Sequence, residues 1–248
     1  MDRFFIPGVS HGGTVPVDDA EARHMTRVLR MKPGDMLVAF DGTGVECVCR
    51  LAHSGRRLAV QVVERRQVSR EAAVQVTLAI AAAKTKAMDV VLQKCTELGL
   101  ARLVPFHSQR SVAKVDDAKL EKWRRITIEA AKQCGRNVLP ELMHPLDTVR
   151  LAELIREHDV AVVAALDPSA KPLKQVLQRA PAARRILYVI GPEGGFGPGE
   201  LEPITAAGAA AVSLGRSVLR VETAAVAALA MILYHYSDAI QKERSEQC

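Results

Sequence analysis

Residues 190–197 have the sequence IGPEGGFG, a glycine-rich turn between two segments of different character. The apolar residues 186–190 predict a buried strand, and a helix is predicted to begin near Pro198. Because glycine has no Cβ, backbone N–H groups in such a turn can approach a ligand closely. Taken alone, such a turn is more often explained by glycines that only make tight turns.

A second crossing of the same kind follows further along the chain. Residues 211–214 predict a short strand that ends at Gly215, residues 216–220 form a connector, and a long apolar helix is predicted from Val221. Two neighbouring strand–turn–helix crossings build a ligand crevice at the carboxyl ends of the strands of an α/β sheet. The pair of crossings therefore predicts a binding site there.

The rest of the C-terminal part continues this alternation. Strands are predicted at residues 74–82, 102–106 and 160–166, and helices at residues 88–98, 117–134, 147–157, 171–179 and 198–207. Strands that alternate with helices are typical of a mainly parallel α/β sheet. The strand at 74–82 has no polar face after Thr77, as expected for a sheet that is covered on both sides.

The N-terminal part has a different pattern. Residues 36–40, 45–51 and 58–63 predict strands, with Asp41-Gly42 as a hairpin turn, and one short helix is predicted at 18–29. The polar, unpatterned residues 66–73 predict a boundary. We therefore expect two domains, a small strand-rich one at residues 1–70 and an α/β one at residues 71–248.

Composition limits the possible classes of protein. The 248 residues include 48% hydrophobic and 25% charged residues, which predicts an ordered globular chain, and the absence of a signal pattern or membrane span predicts a cytoplasmic one. The net charge of +6 favours a polyanionic partner. We expect no metal and no disulfide framework, because the cysteines lack the necessary spacing; they are Cys47, Cys49, Cys95, Cys134 and Cys248.

The motif GPEGGF at 191–196, together with LGRSVLRVETA at 214–224, closely resembles the signature of the 16S rRNA uracil-N3 methyltransferases of the SPOUT superfamily. Residues 24–30, 93–99 and 129–136 also look like motifs of that family. The resemblance implies a PUA-like RNA-binding β-barrel followed by a SPOUT domain with a trefoil knot. It further implies a homodimer that uses S-adenosylmethionine to methylate N3 of a specific uridine in 16S rRNA of the small ribosomal subunit.

The resemblance also implies which residues form the site. Those expected to bind S-adenosylmethionine are Leu166, Gly191, Pro192, Glu193, Gly194, Gly195, Leu214, Gly215, Leu219, Arg220 and Thr223. Arg220 is the candidate cation for the charge that develops on uracil, although an ion pair with Glu222 or Glu193 is the alternative. Glu222 is the candidate proton acceptor, although a carboxylate in the first turn of a helix is also favoured by the helix dipole.

RNA contacts are predicted on the basic residues. The candidates are Arg23, Arg27, Arg30, Arg110 and Arg136. For Arg110 and Arg136, a surface or capping role is an open alternative. Trp123 lies at helical spacing with Ile126 and Ala130, so we expect it in the core or in a dimer contact rather than stacked on a base.

Two other functions remain to be weighed. A non-catalytic ribosome assembly factor would use the basic N-terminal domain alone. The intact motifs GPEGGF at 191–196 and LGRSVLRVETA at 214–224 argue against this function. A nucleotide-dependent enzyme is disfavoured because no GxxxxGK[ST] motif occurs and GPEGGFG lacks the GxGxxG spacing.

Overall fold

The structure is a computed structural model that describes residues 1–110, 114–167 and 169–245, and the chain divides into two units. The first unit contains Met1–Glu71 and Ile128–Leu139, and the second contains Ala72–Thr127 and Pro140–Cys248. Cys248 itself lies outside the described residues, so nothing follows for that cysteine. Cys47, Cys49 and Cys95 are buried thiols.

The first unit is built on a five-stranded, mainly antiparallel sheet. Its strands are β1 (Arg3–Phe5), β2 (Thr14–Pro16), β3 (Met36–Phe40), β4 (Val45–Ser54) and β5 (Arg57–Gln67), in the order β1-β3-β4-β5-β2. Helix α1 (Asp19–Arg23) begins at Asp18, whose carboxylate accepts hydrogen bonds from the backbone N–H groups of Ala20 and Glu21. A π-helical turn at His24–Val28 follows it directly. The predicted closure into a barrel stays a prediction.

Two features of this unit differ from the predicted boundary. Residues 65–67 belong to β5 and pair with 45–47 of β4. The sequence did not predict this end of the strand, because its polar residues show no apolar periodicity. Ile128–Leu139 belongs to the first unit, although two consecutive segments were predicted. Hydrogen bonds explain this grouping, since Gly44 N donates to Asn137 O at 3.1 Å and Asn137 Nδ2 donates to Val68 O at 2.8 Å.

The second unit contains a seven-stranded sheet in which every described strand pair is parallel. Its strands are β6 (Gln75–Ala81), β7 (Arg102–Phe106), β8 (Glu141–Leu142), β9 (Val160–Ala164), β10 (Lys171–Pro172), β11 (Arg185–Ile190) and β12 (Ala210–Ser213), in the order β10-β12-β9-β11-β6-β7-β8. The predicted α/β class with a parallel sheet is therefore confirmed. The knot stays a prediction.

Helices cover both faces of this sheet. They are α2 (Thr85–Leu98), α3 (Asp117–Cys134), α4 (Thr148–Arg156), α5 (Leu173–Leu177), α6 (Leu201–Ala206) and α7 (Val221–Ser245). One core contains residues of α2, α5 and α7, and the other contains residues of α4 and α6. Trp123 is 1% exposed within the first of these cores, so its prediction as a core residue is confirmed.

Candidate active site

The carboxyl ends of the central strands open into a cavity of about 780 Å³. Its walls are formed by the ends of three strands and the residues that follow them, together with the first turns of α2 and α7. The wall residues are 164–167 at β9, 190–193 and 195–196 at β11, and 212–215 and 217–219 at β12. Cavities of this size bind ligands as large as a nucleoside with an attached amino acid. The position agrees with the crevice predicted from the two strand–turn–helix crossings.

Most of the predicted cofactor residues lie in the wall of this cavity. They are Leu166, Gly191, Pro192, Glu193, Gly195, Leu214, Gly215, Leu219 and Arg220. Gly194 and Thr223 fall outside its described lining. The carbonyl oxygen of Gly194 instead accepts a hydrogen bond from Arg110. Thr223 is exposed on α7, where successive residues point in different directions.

The cavity wall contains apolar side chains that nothing in the described chain covers. Leu166 is 77% exposed and Val218 is 74% exposed, yet both line the cavity. Leu214 and Leu219 are half-buried and also pack against the core beneath. Exposed leucine and valine in a concave site are typical of a surface that an apolar or aromatic ligand group covers.

The glycine turn after β11 has a shape that other residues would disturb. A Cβ at Gly191 would lie 2.8 Å from the ring of Phe196, and this ring stacks on Phe106 with centroids 6.5 Å apart. Gly195 adopts φ +69°, a conformation that residues with a Cβ rarely adopt. The glycines therefore set the close approach and the reversal of the chain on which this wall depends.

Glu200 holds the same turn and was not predicted from the sequence. Its carboxylate accepts hydrogen bonds from Gly197 N at 2.6 Å, Gln109 N at 2.8 Å and Ser108 Oγ at 3.1 Å. Burial alone would raise the pKa of Glu200, but these donors outweigh it and hold the pKa below its usual value. The only local signal for this role was the position of Glu200 three residues after Gly197. The other two partners, Gln109 and Ser108, are distant in the chain.

Charged side chains line the mouth of the cavity. Lys84 Nζ lies 3.2 Å from Glu193 Oε2, and neither residue was predicted to pair with the other. Arg220 and Glu222 both line the cavity. Among the described ion pairs none joins Arg220 to Glu222 or Glu193, so the alternative role of Arg220 has no support there. Asp167 is a further lining carboxylate that the sequence prediction missed.

The predicted RNA-binding arginines divide into three groups. Arg23, Arg27 and Arg30 are exposed around the π-helical turn of the first unit. Arg110 is exposed in the second unit, but its Nη1 donates to the carbonyl oxygen of Gly194 at 2.7 Å, which gives it a role in the glycine turn.

The prediction that Arg136 contacts RNA is wrong. Its side chain is 3% exposed and forms an ion pair with Glu71, in which Arg136 Nε donates to Oε1 at 3.0 Å and a second guanidinium nitrogen donates to Oε2. A buried guanidinium that is bound by a carboxylate cannot reach a phosphate. The sequence placed Arg136 just after a helix, where an exposed position is common.

Comparison with known families agrees with this architecture. A family model described as an RNA methyltransferase domain matches residues 70–233, and one described as an RNA methyltransferase PUA domain matches residues 17–63. The chain is 31% identical over 247 residues to ribosomal RNA small subunit methyltransferase E of Bacillus subtilis, with 94% of this chain and 96% of that protein covered.

Solved structures share the same fold. One is a ribosomal RNA small subunit methyltransferase E from Neisseria gonorrhoeae bound to S-adenosyl methionine, with a TM-score of 0.82, 30% identity, and 94% of this chain and 97% of that chain covered. Another is a putative methyltransferase from Legionella pneumophila in complex with the cofactor SAM, with a TM-score of 0.83, 30% identity, and coverage of 94% and 96%.

Proposed function

Since the chain belongs to the ribosomal RNA small subunit methyltransferase E family, we propose that it methylates N3 of a specific uridine in 16S rRNA with S-adenosylmethionine as the donor. The observation that carries this proposal is the cavity at the strand ends, which brings together the glycine turn, Arg220 and Glu222. The two sequence motifs of the predicted family meet in that cavity.

The residues of the cavity suit S-adenosylmethionine. Main-chain N–H and C=O groups of the turns after β9, β11 and β12 can bind the edge of an adenine, and Leu166, Leu214 and Leu219 can cover its faces. Gly191 and Gly195 allow the main chain to approach such a ligand. When bound, S-adenosylmethionine supplies a methyl group on a sulfonium that a nucleophilic nitrogen can accept.

Methylation of uracil N3 sets two requirements for the protein. The N3 proton lies on the pairing edge, so the base must be unpaired and the proton must leave. The resulting negative charge spreads onto the two neighbouring carbonyl oxygens, and a fixed cation beside them lowers the barrier. We assign the cation to Arg220 and the proton acceptor to Glu222, because both side chains line the cavity.

We assign the RNA partner to the first unit. Arg23, Arg27 and Arg30 are exposed there, and the net charge of +6 favours a polyanion. We propose the small ribosomal subunit as the partner and the cytoplasm as the location. No helix in the described part of the chain is both long and apolar enough to cross a membrane.

We also propose a homodimer. Tyr234 is 82% exposed and Met231 is 45% exposed on α7, and burial of such side chains in a second copy would remove apolar surface from water. Light scattering after size-exclusion chromatography tests this state. A single species with the mass of one chain at micromolar concentration would contradict it.

The proposed reaction is tested by methyl transfer from labelled S-adenosylmethionine to small ribosomal subunits that lack the modification, followed by primer extension. An N3-methyl group blocks the pairing edge, so reverse transcriptase should stop one nucleotide before the product. Incorporation without a stop would move the methyl group away from the pairing edge. Failure to incorporate label or to bind S-adenosylmethionine would contradict the enzyme assignment.

A further inference from the structure

The π-helical turn of the first unit presents two apolar side chains to solvent. Leu29 N donates to His24 O at 3.1 Å, which widens the helix at this point, and Met25 on the opposite side is fully buried. Val28 is left 68% exposed and Leu29 39% exposed. We call these two residues the apolar pair. The buried Met25 anchors the turn, so the exposure of the pair is fixed by the fold.

The residue after the pair has an unusual backbone conformation. Arg30 has φ +55°, and of the described residues it is the only non-glycine with a positive φ. Arg30 follows the C-cap residue Leu29, and a left-handed residue at this position is a common way for a helix to end. The next residue returns to the core side of the turn, because Met31 N donates to Met25 O at 2.9 Å. The end of the helical turn thus leaves residues 28–30 exposed to solvent.

Three exposed arginines lie close to the apolar pair in the sequence. Arg23, Arg27 and Arg30 are exposed, and no ion pair or side-chain hydrogen bond links them to another residue in the described part of the chain. Arg66, by contrast, is paired with Glu64 at 2.6 Å on the same unit. Uncompensated arginines beside exposed aliphatic side chains match a ligand that has both phosphates and apolar faces.

We propose that Val28 and Leu29 pack against the face of an unpaired RNA nucleotide, while Arg23, Arg27 and Arg30 contact the flanking phosphates. This inference rests on the proposed function in taking RNA as the partner. In an A-form duplex the base faces are stacked and hidden, so aliphatic side chains gain contact only where a base is unstacked. The first unit therefore selects unpaired rRNA, which is also the form in which N3 of uracil is accessible.

The experiment compares two RNA probes by fluorescence anisotropy without S-adenosylmethionine. One probe is an RNA hairpin with an unpaired loop, and the other is a blunt duplex made from its stem. A generic loop is suitable because packing on base faces is tolerant of sequence. The test variant is the double substitution Val28→Ser and Leu29→Ser in the full chain. The matched control is Val63→Ser, since Val63 is an exposed aliphatic residue of β5 in the same unit.

The double variant should bind the hairpin about tenfold more weakly, from the loss of two aliphatic contacts, with no change on the duplex. Its salt dependence should equal that of the wild type, because no phosphate contact is removed. Arg27→Ala should instead weaken binding to both probes and reduce the salt slope by about one. Val63→Ser should match the wild type on both probes.

Equal losses on hairpin and duplex, or no loss on either, would overturn the proposal; the second result would leave a protein partner as the ligand of this surface. Thermal melts of each variant show whether it is folded. Methyl transfer by the wild type is measured separately. A wild type that discriminates between the probes but does not methylate subunits would contradict the proposed function alone.

Discussion

The backbone N–H of Gly197 donates to the carboxylate of Glu200 at 2.6 Å, and this contact closes the end of the glycine turn. A Cβ at Gly197 would lie 2.5 Å from Gln109 Oε1 and 3.0 Å from Glu200 Oε2, so a larger residue would displace these two side chains. The same carboxylate binds Gln109 N at 2.8 Å, in the segment after β7. Glu200 thereby links two segments that are far apart in the sequence and fixes one wall of the cavity.

Glu200→Gln should lower the free energy of unfolding by roughly 1–3 kcal/mol, since an amide accepts fewer hydrogen bonds and leaves a buried N–H unpaired. It should also weaken S-adenosylmethionine binding through the displaced turn. Glu202→Gln is the control, because Glu202 is exposed in the first turn of the same helix. Urea unfolding and calorimetric titration check both variants. Equal effects of the two substitutions would refute this role for Glu200.

The contribution of Glu200 should depend on pH. Its pKa in the folded protein lies below the ordinary value of 4.5, because the hydrogen bonds from Gln109, Gly197 and Ser108 outweigh the effect of burial. The stabilisation is therefore complete above about pH 4.5 and is lost as the pH falls through the folded pKa. The difference in unfolding free energy between wild type and Glu200→Gln should shrink over that acid range. A difference that stays constant with pH would show that the charge contributes nothing.

Gly191→Ala should weaken S-adenosylmethionine binding at least tenfold. The added methyl group would lie 2.8 Å from the ring of Phe196, so it would push this ring toward Phe106, on which it stacks. Gly194→Ala is the matched variant in the same turn, where a Cβ meets only the flexible Arg110 side chain at 3.5 Å. Isothermal titration with S-adenosylmethionine should therefore give a weaker affinity for Gly191→Ala than for Gly194→Ala. Similar affinities in both variants would show that the approach at Gly191 is not required.

The sequence predicts the second unit well because buried parallel strands are continuous apolar runs. The bounds of β7 and α3 agree with their predicted residues, 102–106 and 117–134. The edge strands β8 and β10 contain two residues each, which is too short for any periodic signal. Their pairing depends on the neighbouring strand and not on their own composition.

The site could be predicted only where its residues lie in local sequence motifs. Leu166, Gly191 and Leu219 lie in motifs whose elements meet at one end of the sheet. Arg136 was assigned wrongly because its partner Glu71 is 65 positions away, so its burial has no local signal. Glu200 was missed for the same reason, since Gln109 is 91 positions away. Contacts between distant segments decide which polar residues are structural.

Arg220→Ala should retain S-adenosylmethionine binding and lose most turnover. The guanidinium is proposed to stabilise charge that develops only as N3 loses its proton, so its removal affects kcat more than donor affinity. Removal of a single such donor costs about 100- to 1,000-fold in kcat in other enzymes. Single-turnover methylation of small subunits, together with donor titration, measures both quantities. Turnover like that of the wild type would remove Arg220 from the mechanism.

Arg136→Ala should lower the free energy of unfolding by about 3–5 kcal/mol, because it leaves the Glu71 carboxylate without its buried partner. Arg66→Ala is the control, since Arg66 and Glu64 form an ion pair in which both side chains are about half exposed, and water screens such pairs. Urea unfolding followed by circular dichroism compares the two variants with the wild type. If Arg136 contacted RNA instead, its loss would leave stability unchanged and weaken RNA binding at low salt. Equal stability of the Arg136→Ala and Arg66→Ala variants would therefore contradict a stabilising role for the Arg136–Glu71 pair.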